Sequence, residues 1–148
     1  MDRELALRIV IVRPLAGVVY RVQRGRGELL GPVAESADAL VFDLSVRTGS
    51  RADGAPNFLG PFAQGRPDDR FVYVSSGTRA GQPGSCWSRR AKVRLAGISA
   101  GLVARALDTP GAALQVRIPG AMQDGGPVCA SVRPLEGGWS LVTAHDAS

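Results

Sequence analysis

Seven segments of this chain alternate apolar and polar residues with a period of two, and this pattern constrains the fold more than any other feature. Such alternation is typical of β-strands, whose successive side chains point to opposite faces of a sheet. Glycine and proline, 19 and 10 in number, are spread through the chain and indicate many short connections. The predicted strands cover residues 5–11, 18–23, 40–47, 71–75, 90–95, 114–118 and 128–133, and an eighth is expected at 140–143.

These segments predict an all-β domain, mostly antiparallel, built as a barrel or as a two-layer sandwich of seven or eight short strands. The short gap between the first two strands, Arg13–Gly17, predicts a hairpin. The segment 71–75 is apolar on both faces, so we expect it in the centre of a sheet. The core is predicted to contain side chains from the apolar faces of these strands: Phe42, Phe71, Tyr73, Val93 and Val116.

One short helix is expected among the strands, near Ser99–Leu107. Ser99 is predicted to be its N-cap, because the serine hydroxyl can accept a hydrogen bond from a backbone N–H that has no partner within the first turn. Ile98 and Val103 have the spacing of a hydrophobic staple, and Pro110 ends the helical pattern.

The 148 residues predict a single globular domain spanning 1–148, with frayed ends at 1–4 and 143–148. A domain of this size needs no disulfide or metal to support its core. The N-terminal residues lack the composition of a signal peptide, and no run approaches the ~18 apolar residues of a membrane span. We therefore expect a cytoplasmic protein that does not contact the membrane, with Cys86 and Cys129 as reduced thiols.

The net charge is +5, and among the 18 basic residues Lys92 is the single lysine. Arginine suits planar recognition of carboxylate or phosphate groups, which favours an anion-binding surface. A genome composition rich in arginine, glycine, alanine and proline explains the same excess. The charge alone leaves both interpretations open.

Hydrogen-bonding side chains are densest where the turn Gly65–Arg70 precedes the loop Ser75–Arg90. Small residues in that loop allow backbone N–H groups to approach an anion, although no phosphate-loop motif is present. Trp87 with its neighbouring arginines favours contact with a planar ligand. The competing explanation is a long loop that these donors tie down. The candidate ligand-binding residues are Arg70, Ser75, Thr78, Arg79, Gln82, Trp87 and Arg89.

No set of residues has the pattern of a catalytic centre. Asp68 and Asp69 are adjacent on a turn and point apart, which makes them unsuited to act as an acid–base pair. Cys86 lacks a base, because the single histidine, His145, lies in the polar C-terminal tail. One histidine and two cysteines do not supply a zinc site, so we expect no metal, no cofactor and no catalytic residue.

Four strings of the sequence resemble a family of small bacterial proteins that is defined as a domain of unknown function. The strings are VQRGRG, NFLGPFAQGRPDDRFVYVSSGTRAGQ, CWSRRAKVRLAGI and DGGPVCASVRP. The resemblance extends from about Leu7 to Trp139, which implies that the chain is one domain of this family. It implies no reaction, ligand or partner.

The sequence therefore favours a non-catalytic bacterial module that binds a small anionic ligand. A basic β domain that binds nucleic acid or a protein partner is the alternative, and the charge of +5 supports it. Aromatic residues make up 5% of the chain, which argues against an extended base-stacking surface. An enzyme is the weakest hypothesis, and the sequence carries no signal of oligomeric state.

Overall fold

Two β-sheets enclose one hydrophobic core in the computed structural model, which describes residues 3–25, 27, 29–59, 66, 70–78, 87–95, 98–121 and 129–134. The first sheet contains β1 (Arg3–Val12), β4 (Ala34–Glu35), β5 (Ala39–Ser50), β6 (Pro56–Phe58), β9 (Ala112–Pro119) and β10 (Cys129–Pro134). The second contains β2 (Val18–Arg24), β3 (Leu29–Leu30), β7 (Phe71–Thr78) and β8 (Trp87–Arg94). The helix α1 (Ala100–Asp108) follows β8.

This architecture confirms the all-β prediction and selects the sandwich, because neither sheet closes on itself within the described residues. The structure has ten strands there instead of seven or eight. The additional ones are β3, β4 and β6, which contain two or three residues each and are too short to show a period. The strand expected at 140–143 lies outside the described residues.

Strand β1 is central in the first sheet, whose order is β10-β9-β1-β5-β4, with β6 pairing with the end of β5. β1 runs antiparallel to β5 and parallel to β9. The parallel pair requires a crossover connection, which includes the second sheet and α1. As a result Leu7 lies between Leu44 and Leu114, and each of these side chains is buried.

The predicted hairpin between β1 and β2 is wrong. β1 pairs with β5 and β9, whereas β2 pairs with β3 and β7 in the other sheet. The connection instead carries the chain between the sheets, and Arg13 turns it with a φ of 55°, a conformation that few residues with a side chain adopt. The Tyr20 hydroxyl holds this connection, because it accepts a hydrogen bond from Leu15 N–H (2.8 Å) and donates one to the Gly120 carbonyl (2.9 Å).

The core is formed by the inward residues of both sheets and of α1. It confirms the predicted burial of Phe42, Val93 and Val116, which belong to one cluster. The prediction is wrong for Phe71, which is half-buried, whereas Tyr73 is buried as predicted but lies outside this cluster. The neighbouring Val72 and Val74 fill the core, so strand alternation places both aromatic residues on the outer face of the second sheet. The second sheet contributes these residues to the core: Val22, Val72, Val74, Ala91 and Val93.

The helix lies close to the predicted position, and Val103 and Ala106 are its buried residues. Ser99 occupies the N-cap position as expected, but its side chain makes no capping hydrogen bond, which corrects that prediction. The Ser99 carbonyl accepts the first helical hydrogen bond, from Val103 N–H at 3.1 Å. Of the helices that the structure describes, none is long and apolar enough to cross a membrane.

Candidate functional site

Five of the seven candidate residues belong to the second sheet or directly precede it. Ser75 and Thr78 lie on β7, Trp87 and Arg89 lie on β8, and Arg70 comes immediately before β7. Arg79 and Gln82 lie outside the described residues. β7 and β8 pair antiparallel, so the end of β7 lies beside the start of β8. Both strands extend into the segment Ser75–Arg90, which corrects the prediction that this whole segment is a loop.

The pairing does not place these residues on one face. Ser75 pairs with Arg90, and the next pair along the strands is Ser76 with Arg89. Adjacent pairs belong to opposite faces of a sheet, so Ser75 and Arg89 occupy register positions on different faces. The register then shifts between Ser76 and Gly77, a β-bulge that brings Trp87 opposite Gly77.

The register defines a second set of residues, on the face of the sheet that points away from the core. We call this set the basic face. Each of its members alternates with a core residue on the same strand, so its side chain points outward. The basic face comprises Arg21 and Gln23 of β2, Phe71, Tyr73 and Ser75 of β7, and Lys92 and Arg94 of β8.

Three rows of paired backbone positions cross the basic face, and the first extends to the register position of Arg90 on β8. Arg21 pairs with Ser75, which in turn pairs with Arg90. The next row runs from Gln23 through Tyr73 to Lys92, and Phe71 pairs with Arg94 in the last. Every row therefore ends on β8 at a basic residue, and these residues repeat at intervals of two along the strand.

The four strands of this sheet contain no aspartate or glutamate. Their basic residues are Arg21, Arg24, Arg89, Arg90, Lys92 and Arg94. Arg24 has a structural role, because it donates a hydrogen bond to the Ser45 carbonyl of β5 (3.0 Å) and so ties the two sheets together. Lys92 and Arg94 are exposed on the basic face. The electrostatic potential of this face is thus set by one sign of charge.

On the outer face of the first sheet, by contrast, a basic side chain is paired with a carboxylate. Arg8 donates two hydrogen bonds to Asp43, from Nε to Oδ1 (2.7 Å) and from Nη2 to Oδ2 (2.8 Å). These bonds raise the pKa of the Arg8 guanidinium above its ordinary value, despite an opposing effect of burial. The charge of a cation held in this bidentate way is already balanced by the carboxylate, so it attracts a further anion less strongly. The first sheet is therefore the weaker candidate for anion binding.

Two aromatic rings line the cation row on β8. The Phe71 and Tyr73 ring centroids are 5.8 Å apart, with planes inclined by 39°. Lys92 Nζ lies 5.6 Å from the centroid of the Phe71 ring, within the range of a cation–π interaction. Tyr73 is 7% exposed and Ser75 is 2% exposed, whereas Phe71 is half-buried and accessible. The ring of Phe71 therefore holds the Lys92 ammonium in place at the surface.

The sequence does not identify the basic face as a unit. Arg90, Lys92 and Arg94 alternate with apolar residues as in any solvated strand, and the predicted core includes Phe71 and Tyr73. The signal that distinguishes the face is the lack of acidic residues in β2, β7 and β8, whereas β1 and β5 contain both signs. The described residues contain no group of three His, Cys, Asp or Glu side chains that could hold a metal ion.

Comparison with known proteins assigns the chain to a family but gives no activity. Residues 5–142 match the family of unknown function DUF5990. Because the match covers most of the 148 residues, the chain belongs to this family. No curated protein and no solved structure matches the chain.

Proposed function

We propose that this protein is a non-catalytic module of the bacterial cytoplasm that binds a small anionic ligand on its basic face. One observation carries the proposal: the strands that form this face contain basic residues and no aspartate or glutamate. A face with one sign of charge attracts an oppositely charged ligand and raises its local concentration. The cytoplasmic assignment is supported by the low cysteine count, and the bacterial one by the family resemblance.

The arrangement on β8 suits an anion with two or more oxygen atoms. Arg94 offers a planar fork of N–H donors that matches carboxylate or phosphate, and Lys92 adds a compact point charge. Lys92 is partly immobilised by the Phe71 ring, 5.6 Å from its ammonium group. A group that is ordered before the ligand arrives loses less entropy on binding, which favours affinity.

The residues of the basic face favour binding over catalysis. They supply hydrogen-bond donors and positive charge, and the side chains that the structure describes there include no carboxylate or imidazole to act as a general base. Such groups neutralise the charge of a ligand and hold it in position. Neither role requires a catalytic group.

Thermal unfolding in the presence of phosphate, pyrophosphate or citrate tests the proposal, with total ionic strength held constant by NaCl. A ligand at one hundred times its Kd stabilises the folded state by about 2.7 kcal/mol. For a domain of this size that corresponds to a rise in Tm of roughly 5–10 °C. The double variant Lys92→Gln/Arg94→Gln is expected to fold normally, because both side chains are exposed, and to lose most of this rise.

The double variant Arg51→Gln/Arg105→Gln is the matched control. It removes the same net charge from exposed positions outside the basic face. We expect it to retain the anion-dependent rise in Tm. Equal losses in the two double variants would mean that the anions respond to net charge alone, and the basic face would then be rejected as a site. The absence of any anion-dependent rise in the wild-type protein would reject the function itself.

A further inference from the structure

We infer that the anion bound by the basic face is the phosphodiester backbone of a single-stranded nucleic acid, lying along β8 with a base stacked on Phe71. This inference rests on the proposed function for the site and for the negative charge of the ligand, and it replaces the small anion with a segment of an extended one. It goes further by requiring an extended ligand with several charges and a planar group. Three features of the face carry it, and each is independent of the others.

The first feature is the spacing of the basic residues on β8. Arg90, Lys92 and Arg94 pair with Ser75, Tyr73 and Phe71, so they form a straight row at intervals of two residues. Residues i and i+2 of a strand are roughly 7 Å apart, and the whole row is roughly 14 Å long. A compact anion reaches one or two of these positions. An extended single strand presents successive phosphates at comparable intervals and reaches all of them.

The second feature is the aromatic row next to this cation row. Phe71 and Tyr73 lie on β7, and neighbouring strands are about 4.8 Å apart. Proteins that bind single strands combine a basic groove that follows the backbone with aromatic side chains on which bases stack. Phe71 is half-buried and accessible, whereas Tyr73 is 7% exposed and lies beside it on the same strand, at a centroid distance of 5.8 Å. Phe71 is therefore the ring that receives a base, and Lys92 Nζ, which lies 5.6 Å from the ring centroid without a ligand, then turns to a phosphate.

The third feature is the polar row on the far side of the rings. Gln23 pairs with Tyr73 across β2 and β7, and Arg21 pairs with Ser75. Both β2 side chains are half-buried at the surface of the sheet. The Gln23 amide nitrogen donates a hydrogen bond to the Gly27 carbonyl (3.2 Å), which orients the side chain and leaves Oε1 to accept a hydrogen bond from the edge of a base. From β8 to β2 the face thus offers positions for phosphate, base plane and base edge, in that order.

An acidic peptide is the main competing ligand, because an added strand beside β8 also places side chains at intervals of two residues. The aromatic row favours nucleic acid, since a peptide carboxylate gains nothing from the Phe71 ring. A duplex is disfavoured for the same reason, because its bases are already stacked and the ring has no access to them.

Fluorescence anisotropy with labelled oligothymidylates of roughly 4, 8 and 12 nucleotides tests the inference. We expect affinity to increase from the shortest to the intermediate probe and then to level off. The logarithm of the binding constant should fall with the logarithm of salt concentration with a slope of about −2, as for three phosphate contacts of a single strand. Lys92→Gln and Arg94→Gln should each reduce the magnitude of that slope by about 0.7, and Arg105→Gln should leave it unchanged.

Phe71→Leu separates stacking from charge, because it keeps an apolar side chain of similar size and removes the ring. We expect it to weaken binding roughly 5- to 100-fold with an unchanged salt slope. Phe71→Tyr should restore most of the affinity, which excludes a folding defect as the cause. Poly-glutamate and a DNA duplex of matched charge serve as competitors, and both are expected to compete at least tenfold less well than the oligothymidylate.

The outcomes distinguish this inference from the proposed function. Binding of phosphate or pyrophosphate without tighter binding of any oligothymidylate would overturn the inference and leave the proposed function intact. Equal competition by poly-glutamate, together with full affinity of Phe71→Leu, would replace nucleic acid with an acidic protein partner. Failure of both small anions and oligothymidylates to bind would reject both proposals.

Discussion

Replacing Gly120 with alanine tests how the two sheets are joined. Gly120 follows β9, and its N–H donates a hydrogen bond to the Val12 carbonyl at 2.7 Å. Its own carbonyl accepts a hydrogen bond from the Tyr20 hydroxyl of β2. A Cβ atom at this position would lie 2.2 Å from the Arg13 carbonyl oxygen and 2.9 Å from Pro14 Cα. These contacts are with backbone atoms, which cannot move aside as a flexible side chain does.

The size of the loss in stability follows from the backbone movement that the added methyl group requires. An ordinary van der Waals distance requires the two backbone segments to separate by about 1 Å or more. Such overpacking typically costs about 1–3 kcal/mol. The same movement strains the two hydrogen bonds of Gly120, each worth about 1 kcal/mol. We therefore expect Gly120→Ala to lower the free energy of unfolding by about 3 kcal/mol, and Tm by roughly 6–12 °C.

Equilibrium unfolding in urea measures this loss, and two other glycines provide controls. Gly31→Ala adds a methyl group with no atom within 4 Å and should change stability by less than about 0.5 kcal/mol. Gly111 has a φ of +73° in open space, so alanine there should cost about 1 kcal/mol from backbone strain alone. A loss for Gly120→Ala no greater than that for Gly111→Ala would refute the close approach of β9 to Arg13.

Three further predictions concern charges and thiols. Asp43→Ala should lower the free energy of unfolding in urea by about 2 kcal/mol, because it leaves the half-buried Arg8 without its bidentate partner. Asp108→Ala breaks an exposed ion pair and should lower it by less than about 1 kcal/mol. The pKa of Asp53 is lowered because its carboxylate accepts a hydrogen bond from Ala55 N–H. The stabilising effect of this carboxylate should be present above the unfolded pKa of 3.8 and be lost as pH falls through the lower folded pKa. An NMR titration of the Asp53 carboxyl carbon measures the folded pKa. Both cysteine thiols should react with an alkylating reagent without prior reduction, and mass spectrometry showing no modification until a reductant is added would contradict the cytoplasmic assignment.

Local pattern was sufficient to predict the long strands. The structure confirms the alternation of Leu40, Phe42, Leu44 and Val46, which lie within β5. This strand pairs with β1. Pairing between strands depends on contacts that local pattern does not encode. The five-residue connection Arg13–Gly17 has the length of a hairpin loop, yet Tyr20 and Gly120 hold it as a crossing between sheets, over a separation of 100 residues.

The site illustrates the same limit. Strand β7 is apolar on both faces, and alternation alone does not state which face is inward. The choice is made by Val72 and Val74, which pack against the first sheet and leave Phe71 and Tyr73 outside. The basic character of β8 is visible in the sequence. The sequence does not show that β2 and β7 lie beside β8, and neither strand contributes a carboxylate that would neutralise its charge.

Genome composition and ligand binding make different predictions for the replacement of Arg94. Arg94 lies in a row of like charges, so Arg94→Gln should relieve repulsion and raise stability by a few tenths of a kcal/mol at low salt. Arg105→Gln removes the same charge from the last turn of α1, where a cation is favourable, and should lower stability by a similar amount. A variant that gains stability and loses oligothymidylate binding would show that Arg94 is retained at the expense of the fold. Composition alone predicts that oligothymidylate binding is the same in both variants, and that result would favour composition over a site on β8.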